Sequence, residues 1–579
     1  MASQFKSEPR PLHELFTGRN TLYKIPEYQR PYSWEEDHID QLWDDLYEAW
    51  NDSREDDDSY FLGTIILVDN DNDRLDILDG QQRITTLMIF YAVLRDFYEE
   101  DLSSQRNRIK RRLQQSPESD DSKYRLMTGE KHHDVFESTV LSGIDLDEEN
   151  SYTDAAKYTR DALEDKFGDP VEDPTELEDF FDFVEEDTEI IEIETSELSY
   201  AIRLFQTVNN RGKDLTVSDL TKSYLLSLTS DEQRDVVTES WKKLSSKFDD
   251  NYDRLDNLLS SYRLYLQDTK AEESIYEELK SEFDASLEEG VSVVEIARDI
   301  NKYAKEYRNV ENEESREMYM LSNLSHSQQW KTILTAAKKE GFSDYDELVD
   351  DLVGLYYSYW IGGHNSQKIK RPSYKILRKI KAGEGIVGIR DYIEGKRNGD
   401  DIAQKVKNNL YSEVYGENWH RPLLLALEYN LSVDKKTGEI EPGQDIHSEH
   451  ILPKSYETAM EKEVYWREQF DADEAAKLRH TLGNLTPLEQ EVHDVVQQKP
   501  FRTKKAHYMG KDDTLASLGD DREATSFDLT RRVVDEYEDW NPENVRDHRD
   551  FLVRRAADLL NFDPDRLLRV EETEAEVEA

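Results

Sequence analysis

The stretch LDILDGQQRITTLM, residues 75–88, joins two kinds of secondary structure. It opens with a short apolar, strand-like run, and from Ile84 onward apolar residues recur at helical spacing. Between these parts stand Asp79 and Gly80, a pair that permits a sharp turn. The pattern predicts a strand that ends at Asp79 and a helix that begins close to Gln81.

The neighbouring segments extend this pattern into a small domain. YFLGTIILV, residues 60–68, is a buried-strand pattern rich in β-branched residues, and TEIIEIET, residues 188–195, predicts another strand. One face of a long helix is marked by the apolar positions Leu87, Met88, Tyr91, Leu94 and Tyr98. We therefore expect a small α/β domain in the N-terminal part.

The turn between this strand and helix is suited to phosphate. Backbone N–H groups at a helix start have no intrahelical partner, and the helix dipole favours an anion there. Gln81, Gln82 and Arg83 add side-chain donors, Asp79 suits a metal or sugar hydroxyl, and Gly80 permits close ligand approach. The alternative is structural, with Asp79 capping the helix and Arg83 pairing with an acid. The corner is not a Walker loop, and local physics leaves both interpretations open.

Two further polar segments are candidates for the same cavity. YQRPYSW carries Gln29 and Arg30 on a proline-stiffened chain, and packing of the loop is the alternative role for them. A later turn carries Asn209, Asn210 and Arg211, and an asparagine-rich turn needs no ligand to explain it.

Length and composition limit the class of protein. The 579 residues exceed what one hydrophobic core usually serves, so at least two domains are expected. Cysteine is absent, which excludes disulfides, thiolate metal sites and a cysteine nucleophile. We find neither a signal-peptide pattern nor a transmembrane run, and therefore expect a soluble, cytoplasmic protein.

The charge balance is strongly acidic. There are 74 lysines and arginines against 128 acids, giving a net charge of −54, and the acids are spread along the chain. Many of them stand in helix-like stretches, which indicates a folded protein with an acidic surface. Molar salt shortens the Debye length to about 3 Å and screens such self-repulsion. We infer a halophilic source as a hypothesis.

Against this background three basic clusters stand out, at residues 106–112, 368–381 and 499–505. Each is explained most simply as a solvated helix face. The second includes Tyr374 among its charges, as a groove that follows a nucleic acid backbone can. Its candidate DNA backbone contacts are Lys368, Lys370, Arg371, Lys375 and Arg378.

The strongest chemical signal lies in DIHSEHILPKSY, residues 445–456, and LGNLTPLEQEVHDVVQQKPF, residues 482–501. In order, they contain an acid next to a histidine, a proline three residues on, an asparagine, and a histidine on the next helix. This is the inventory of a divalent-metal phosphodiesterase. An isolated Glu-His pair or Gly-Asn turn would more simply be structural, but the ordered set is much more specific.

Each member of this set has a predicted role. Neutral His450 takes a proton from the attacking water, and a group near Asn484 holds the ring in the right tautomer. Glu449 and His493 hold one hard cation, which stabilises the charge that develops on the scissile phosphate. His447 shares a strand face with Glu449, so we rank it as a neighbour. Two strands and a helix would then form a ββα-metal arrangement.

The same motifs resemble those of a known family. EHILPKS, GNLTPL and NPENVRDHRDFLVRRAADLL are similar to the C-terminal, HNH-type nuclease domain of the GmrSD family of modification-dependent restriction enzymes. IPEYQRPYSW, YFLGTIIL, LDGQQRITTL and LFQTVNNRGKDLTVSDLTKSYLL resemble the family's N-terminal domain, in the same order. Phosphorothioate-sensing SspE-type proteins share this pair of domains.

The resemblance implies that the N-terminal domain binds and hydrolyses a nucleotide such as ATP, GTP or UTP. It also implies that the C-terminal domain cuts or nicks DNA with foreign modifications, and it favours the nucleotide interpretation of residues 79–83. The family's third nuclease position is often Asn where this chain has His493, which leaves the ligand role intact. Magnesium or manganese suits a carboxylate-and-water site, although a histidine-rich site also tolerates zinc or nickel.

We therefore expect an α+β, predominantly helical protein. Its predicted parts are a nucleotide-binding and DNA-sensing domain at 1–230, a helical connector at 231–400, an HNH nuclease domain at 401–565 and an acidic tail at 566–579. The predicted function is cleavage of modified DNA in defence, coupled to nucleotide hydrolysis, with Mg²⁺ or Mn²⁺ as cofactor. A homodimer is compatible with the sequence. The alternatives are a nucleotide-responsive DNA-binding regulator with a structural HNH-like domain, and a nuclease indifferent to modification.

Overall fold

The computed structural model describes residues 6–17, 22–26, 29, 31–56, 59–69, 73–97, 103–117, 119, 122–168, 174–196, 200–201, 204, 216–324, 327–364, 366–399, 401–431, 446–510 and 525–569. The chain packs into two units. The first comprises Met1–Asp256 and Tyr276–Arg298, and the second comprises Asn257–Ile275 and Asp299–Ala579. None of the helices described here combines the length and apolar character needed to cross a membrane.

The first unit is built on a mixed six-stranded sheet. The strands of this unit are β1 (Lys6–Pro11), β2 (Tyr23–Lys24), β3 (Tyr60–Val68), β4 (Leu75–Asp79), β5 (Gln114–Gln115), β6 (Lys123–Tyr124), β7 (Leu126–Met127) and β8 (Thr188–Thr195). The sheet order is β1-β8-β3-β4-β2-β7, and β5 pairs separately with β6. The pairs β1–β8 and β3–β4 are antiparallel, while β8–β3, β4–β2 and β2–β7 are parallel. Strands β3, β4 and β8 confirm the predictions made from their β-branched patterns.

Twelve α-helices are described between residues 12 and 311. They are α1 (Leu12–Leu15), α2 (Glu36–Asp56), α3 (Gln81–Phe97), α4 (Ser103–Leu113), α5 (Glu130–Phe136), α6 (Ser151–Phe167), α7 (Thr175–Glu186), α8 (Val217–Ser227), α9 (Asp231–Ser246), α10 (Tyr252–Gln267), α11 (Ile275–Glu288) and α12 (Val293–Glu311). A π-helical turn at Glu137–Leu141 follows α5. The predicted junction is confirmed, since β4 ends at Asp79 and α3 begins at Gln81.

Helix α3 lies at the centre of the first unit's core. We predicted one apolar face for it, but every residue from Ile84 to Arg95 is buried. The reason is that aromatic side chains of two other helices close over it. Trp43 of α2 and Phe180 of α7 both contact the ring of Phe90, with centroids 4.8 and 6.5 Å away. A helix that is apolar all round is stable only when enclosed in this way.

The second unit is helical around one small hairpin. Its further elements are α13 (Arg316–Ser322), α14 (Ser327–Glu340), α15 (Tyr345–Ile361), α16 (Ser366–Lys381), α17 (Ile386–Gly399), α18 (Ile402–Leu410), α19 (His420–Leu431), β9 (Ile446–His450), α20 (Tyr456–Lys462), α21 (Val464–Gln469), α22 (Ala472–Leu478), β10 (Leu485–Glu489), α23 (Gln490–Val496), α24 (Phe501–Tyr508), α25 (Asp528–Glu536), α26 (Pro542–Leu559) and α27 (Pro564–Leu567). The α+β, mostly helical fold class is therefore confirmed.

The hairpin of β9 and β10 packs on a dedicated core. Trp466, Phe501 and Trp540 are completely buried there. A 3₁₀ turn at Leu482–Asn484 leads into β10 and lies close against α26. A Cβ added at Gly483 would stand 2.1 Å from the carbonyl oxygen of Val545, so only glycine permits this approach. The hairpin followed by α23 gives the predicted order of two strands and a helix.

Candidate functional site

The two hairpin strands place the acid and the histidine of the nuclease motif. β9 ends with Glu449 and His450, which stand opposite Thr486 and Leu485 of β10. Successive side chains of a strand point to opposite faces, so Glu449 meets α23 and α24 while His450 meets the loop at His480. Both side chains are buried. The adjacent pair therefore serves two faces of one strand.

On the first face, the Glu449 carboxylate has three side-chain partners. Lys504 Nζ donates to Oε1 over 2.5 Å, the Tyr508 hydroxyl donates to the same oxygen over 3.2 Å, and His493 Nδ1 lies 2.7 Å from Oε2. Lys504 is completely buried and also donates to the His450 carbonyl oxygen over 2.8 Å. Burial acts to raise the pKa of Glu449, but the charge of Lys504 and the bonds from His493 and Lys504 outweigh it and lower that pKa. The carboxylate is therefore ionised inside the core.

On the second face, the His450 ring contacts His480 and Tyr415. Its Nε2 lies 3.2 Å from His480 Nδ1, and the Tyr415 ring meets it edge-on at a centroid distance of 4.4 Å. Burial, followed by the electrostatic influence of His480, Lys504 and Lys454, lowers the pKa of His450 to about 3. The imidazole is therefore neutral near pH 7, which is the form that can accept a proton.

Asn484 is placed differently from the prediction. Its Oδ1 accepts the backbone N–H of Leu452 over 2.7 Å and the indole N–H of Trp540 over 3.0 Å. Its Nδ2 donates to the carbonyl oxygens of Leu452 and Arg479, both over 2.9 Å. An amide has two donors and two acceptor positions, so these four bonds use its capacity. The Asn484 amide fixes the chain that follows β9 and has no bond left for the predicted base.

Four residues of the site were not predicted: Lys504, Tyr508, His480 and Tyr415. Lys504 stands in KPFRTKK, which the sequence marks only as a basic cluster. A signal was nevertheless present, because Lys504 and Tyr508 are four residues apart and so share one face of α24. His480 and Tyr415 carry no comparable signal, since their loops meet β9 only in the folded chain.

One lysine stands beside the histidines of the second face. Lys454 lies with its Nζ 4.8 Å from the centroid of the Tyr415 ring, and it lowers the pKa of both His450 and His480. Lys504 lies beneath the same strand but is completely buried and paired with the Glu449 carboxylate. A phosphodiester is an anion, so Lys454 is the group that favours binding of a nucleic acid backbone next to the buried imidazole.

Glu449 and His493 are the predicted cation ligands, and the structure brings them together. His493 is partly exposed, and its ring stacks on that of His447 at a centroid distance of 4.5 Å. Among the residues described, no group of three or more His, Cys, Asp or Glu side chains can hold a metal ion. Mg²⁺ usually keeps several waters and takes phosphate oxygens, so one carboxylate and one imidazole fit such an ion. Zinc normally takes three or four protein ligands and fits less well.

In the first unit, the turn of the DGQQR motif is tightly constrained. Asp79 Oδ1 accepts the N–H of Gly80 over 2.8 Å. Gly80 has a φ of +87°, and a Cβ there would stand 2.5 Å from Cγ2 of Ile65. Gln81, the first residue of α3, is buried, and its Oε1 has no hydrogen-bond partner among the described residues. This oxygen is the group of the motif that stays open to a donor.

The last two residues of the motif hold neighbouring chain segments. Gln82 Nε2 donates to the Pro31 carbonyl oxygen over 3.2 Å, and its Oε1 accepts the N–H of Ser33 over 3.0 Å. The Arg83 guanidinium donates to the carbonyl oxygens of Leu62 and Thr64 over 3.0 and 2.9 Å. Leu62 lies within the register shift of β3, between Phe61 and Gly63, and Thr64 follows that shift. The sequence predicts Arg83 as a donor to a phosphate ligand. In the structure its guanidinium instead stabilises an irregular strand.

Of the residues predicted to share a cavity with the DGQQR motif, the structure describes Gln29. Gln29 Nε2 donates to the Leu78 carbonyl oxygen over 3.0 Å. Gln29 also lines a cleft together with Lys222 and Trp241, and residues 79–83 are not among the described residues that line it. Arg30, Asn209, Asn210 and Arg211 lie outside the described residues.

The basic clusters differ in how far acids neutralise them. In the first cluster, Arg112 Nη2 lies 2.5 Å from Glu185 Oε2, and Arg108 Nη1 lies 2.5 Å from Asp182 Oδ1. In α16, Arg378 Nε lies 2.6 Å from Asp268 Oδ1. The other candidate DNA contacts, Lys368, Lys370, Arg371 and Lys375, lie further toward the start of this helix.

Two family models match the chain. The GmrSD restriction endonuclease N-terminal domain matches residues 12–226, which include the DGQQR turn. The C-terminal domain of GmrSD restriction endonucleases matches residues 400–555, which include the hairpin and its helices. No individual curated protein matches the chain significantly.

These matches confirm the resemblance drawn from the motifs. They imply DNA as the substrate, modification-dependent cleavage as the reaction and a role in defence. HNH-type nucleases of this family typically use a divalent metal. The chain belongs to the GmrSD restriction endonuclease family and carries the N-terminal and C-terminal domains of that family in one polypeptide.

Proposed function

We propose that this protein cuts or nicks modified DNA with His450 as the general base, and that nucleotide binding and hydrolysis in the N-terminal domain control the cut. The observation that carries the nuclease proposal is the placement of a buried, neutral imidazole directly beside a carboxylate–imidazole pair. His450 follows Glu449 in β9, and Glu449 contacts His493 over 2.7 Å.

The contact with His480 leads to an assignment of the His450 tautomer. We assign Nε2 of His450 as the donor to Nδ1 of His480, which leaves a lone pair on Nδ1 of His450. That atom can accept a proton from the water that attacks the phosphate. Tyr415 packs against the ring and limits its rotation. His480 is thus a positioning residue, and it has the orienting role that the sequence predicts for a group near Asn484.

DNA binding should make His450 a better base. The pKa of about 3 reflects burial and several nearby positive charges. A bound phosphodiester adds negative charge beside them and so raises the pKa of His450 toward the pH at which the enzyme works. General bases are most effective when their pKa lies near that pH. The free protein therefore holds a weak base that the substrate itself strengthens.

Glu449 and His493 are the residues that would hold the divalent ion, with Mg²⁺ or Mn²⁺ as the expected choice. When bound, such an ion stabilises the charge that develops on the scissile phosphate and on the leaving oxygen. Lys504 and Tyr508 keep Glu449 ionised and fixed in place. Lys504 also bonds to the backbone of His450, so the ligand and the base keep a constant relation.

The nucleotide proposal is supported by the start of α3. The turn at Gly80 permits close approach, the first N–H groups of a 17-residue helix attract phosphate, and the buried Gln81 Oε1 has no described partner. Gln82 and Arg83 frame this corner through their backbone bonds. We assign 1–230 to this function, 231–400 to the connector and 401–565 to the nuclease, in a cytoplasmic enzyme that uses ATP, GTP or UTP.

The alternatives make different demands on the site. A regulator with a structural HNH-like domain would not need an imidazole held neutral beside an ionised carboxylate, and this observation favours the nuclease. An unselective nuclease would cut unmodified DNA equally well. The geometry of the hairpin is compatible with a modification-dependent nuclease and with an unselective one. Cleavage of a panel of plain and modified DNA distinguishes the two.

The test is a cleavage panel with the full chain in molar KCl. Plain, glucosylated and phosphorothioate DNA are incubated with Mg²⁺ or Mn²⁺, with and without ATP, GTP and UTP. We expect cutting of modified DNA only, and we expect His450→Ala to abolish cutting while DNA binding and nucleotide hydrolysis persist. Cutting by His450→Ala would refute the assignment of the base, and equal cutting of plain DNA would establish the unselective alternative.

A further inference from the structure

We infer that the exposed face of helix α16 (Ser366–Lys381) binds the phosphate backbone of the DNA through Lys368, Arg371 and Lys375. The helix lies between the two stretches that the family models match, at 12–226 and 400–555, so it is a feature of this chain outside the shared domains. The inference rests on the proposed function only in taking DNA as the polyanion.

The helix has one apolar side and one basic side. Ile369, Ile376, Leu377 and Ile380 are buried. Lys368, Arg371, Lys375 and Arg378 are all exposed. Steps of three or four residues return to the same helix face, so these four side chains form one stripe. At 1.5 Å rise per residue, the stripe is about 15 Å long, with neighbours about 4.5 to 6 Å apart along the axis.

Among the described residues, acids neutralise only the C-terminal end of this helix. Arg378 and Lys381 pair with Asp268, and Lys379 pairs with Glu384. In the described part of the chain, no ion pair or hydrogen bond involves the side chains of the other four basic residues. These four are Lys368, Lys370, Arg371 and Lys375. Lys370 is less exposed and lies on a different side from the stripe.

An uncompensated basic face is unusual in this protein. The chain has 128 acids and 74 basic residues, yet the sixteen residues of α16 include seven basic residues and no acid. A merely solvated face in an acidic protein would be expected to draw acids from neighbouring helices, as Asp268 does at the other end. Three cations at regular spacing, with no acid partner among the residues that the structure describes, instead match a ligand with regularly spaced negative charge, which is a nucleic acid backbone.

The magnitude of the effect follows from counterion release. Each phosphate contact contributes about 0.9 to the slope of log K against log salt, so three contacts contribute about 2.7. The same relation predicts that loss of the three contacts weakens binding about sixfold at about 0.5 M KCl and much more at lower salt. The contacts do not read sequence, so plain and modified duplexes should lose the same factor.

The experiment measures DNA binding without cutting. The parent is the full chain with His450→Ala, and the test variant adds Lys368→Gln, Arg371→Gln and Lys375→Gln. The matched control adds Lys302→Gln, Lys305→Gln and Lys396→Gln, which removes three charges from exposed positions of other helices. Fluorescence anisotropy with a labelled duplex gives Kd across a KCl series. We expect the plot of log K against log salt to become shallower by about 2.7 in the test variant and to keep its slope in the control.

The outcomes separate this inference from the proposed function. A test variant with the slope and Kd of the control would overturn the inference. The inference would also be overturned if the test variant changed self-association in sedimentation but not DNA binding. The basic stripe would then bind the acidic surface of a second copy of the chain. If the predicted slope change occurs but the parent enzyme with His450 intact cuts none of the panel DNAs, the proposed function fails and the DNA-binding face stands.

Discussion

Replacing Lys504 by Met should destabilise the nuclease hairpin far more than an ordinary lysine substitution. Lys504 is completely buried, with its ammonium group 2.5 Å from Glu449 Oε1 and 2.8 Å from the His450 carbonyl oxygen. Met fills similar space without the charge. The carboxylate of Glu449 would then stay buried with only His493 and Tyr508 as partners.

The expected loss is about 3–5 kcal/mol, because removing one partner of a buried pair leaves an uncompensated charge. Lys505→Met is the matched control. Lys505 is the next residue, is only partly buried, and donates to the Tyr537 carbonyl oxygen over 2.6 Å. Loss of that single bond should change stability by about 1 kcal/mol. The two adjacent substitutions differ mainly in the charge that remains behind.

A double-mutant cycle isolates the pair. In Lys504→Met with Glu449→Gln both charges are gone, so the double variant should be more stable than Lys504→Met alone. The coupling between the two positions should reach about 2 kcal/mol or more. Because a two-unit chain need not unfold in one step, the local free energy is best measured by amide hydrogen exchange in the full chain. Peptides that cover residues 446–454 and 501–508 report on the hairpin and α24.

The exchange rates give a direct comparison. A loss of about 3–5 kcal/mol corresponds to exchange about 10² to 10⁴ times faster in these peptides, and Lys505→Met should stay within about tenfold of the wild type. The reasoning would be refuted if Lys504→Met exchanged no faster than Lys505→Met. Strict additivity of Lys504→Met and Glu449→Gln would refute it equally, since the pair would then have no coupling.

Four further predictions test other parts of the molecule. His480→Leu should slow single-turnover cleavage about 10²-fold or more, with DNA affinity unchanged. His480→Gln keeps an acceptor for His450 Nε2 and should retain more of the cleavage rate. Equal cleavage rates in these two variants would contradict the positioning role. Glu428 accepts two N–H groups at the start of α25, and burial raises its pKa from 4.5 to about 7. Because the pKa is higher in the folded protein, the contribution of Glu428 to the free energy of unfolding is full below pH 4.5 and is lost as the pH rises through 7. Relative to Glu428→Gln, the wild type should lose about 3 kcal/mol of unfolding free energy between pH 4.5 and 8, and a constant difference in denaturant titrations would argue against this. Gly483→Ala should lower stability by about 1–3 kcal/mol because its Cβ would meet the Val545 carbonyl oxygen, while Gly385→Ala, with open space around it, should leave the thermal midpoint of unfolding unchanged. Arg83→Met should destabilise the first unit by about 2–4 kcal/mol through the Leu62 and Thr64 carbonyls, whereas Gln81→Leu should weaken nucleotide binding without unfolding it; unchanged nucleotide affinity in Gln81→Leu would remove the proposed contact.

The secondary structure of the functional segments could be predicted because it depends on local pattern. β-Branched runs gave β3 and β8, and the Asp-Gly pair marked the point at which β4 passes into α3. The order of acid, histidine, asparagine and histidine, within residues 449–493, likewise predicted two strands and a helix. Each single strand or helix is marked by residues that lie within a few positions of one another, where strand and helix periodicity act directly.

The partners of the functional side chains were decided by the tertiary structure. Glu449 bonds to Lys504, which is 55 residues away, and His450 bonds to His480, which is 30 residues away. The predicted catalytic residue Asn484 instead bonds to three backbone groups and the Trp540 indole, and the predicted phosphate ligand Arg83 bonds to two backbone carbonyls. Local sequence determined that polar groups would stand at these turns. Which buried donor meets which acceptor depends on how distant segments pack, because each buried polar group must find a partner wherever the fold supplies one.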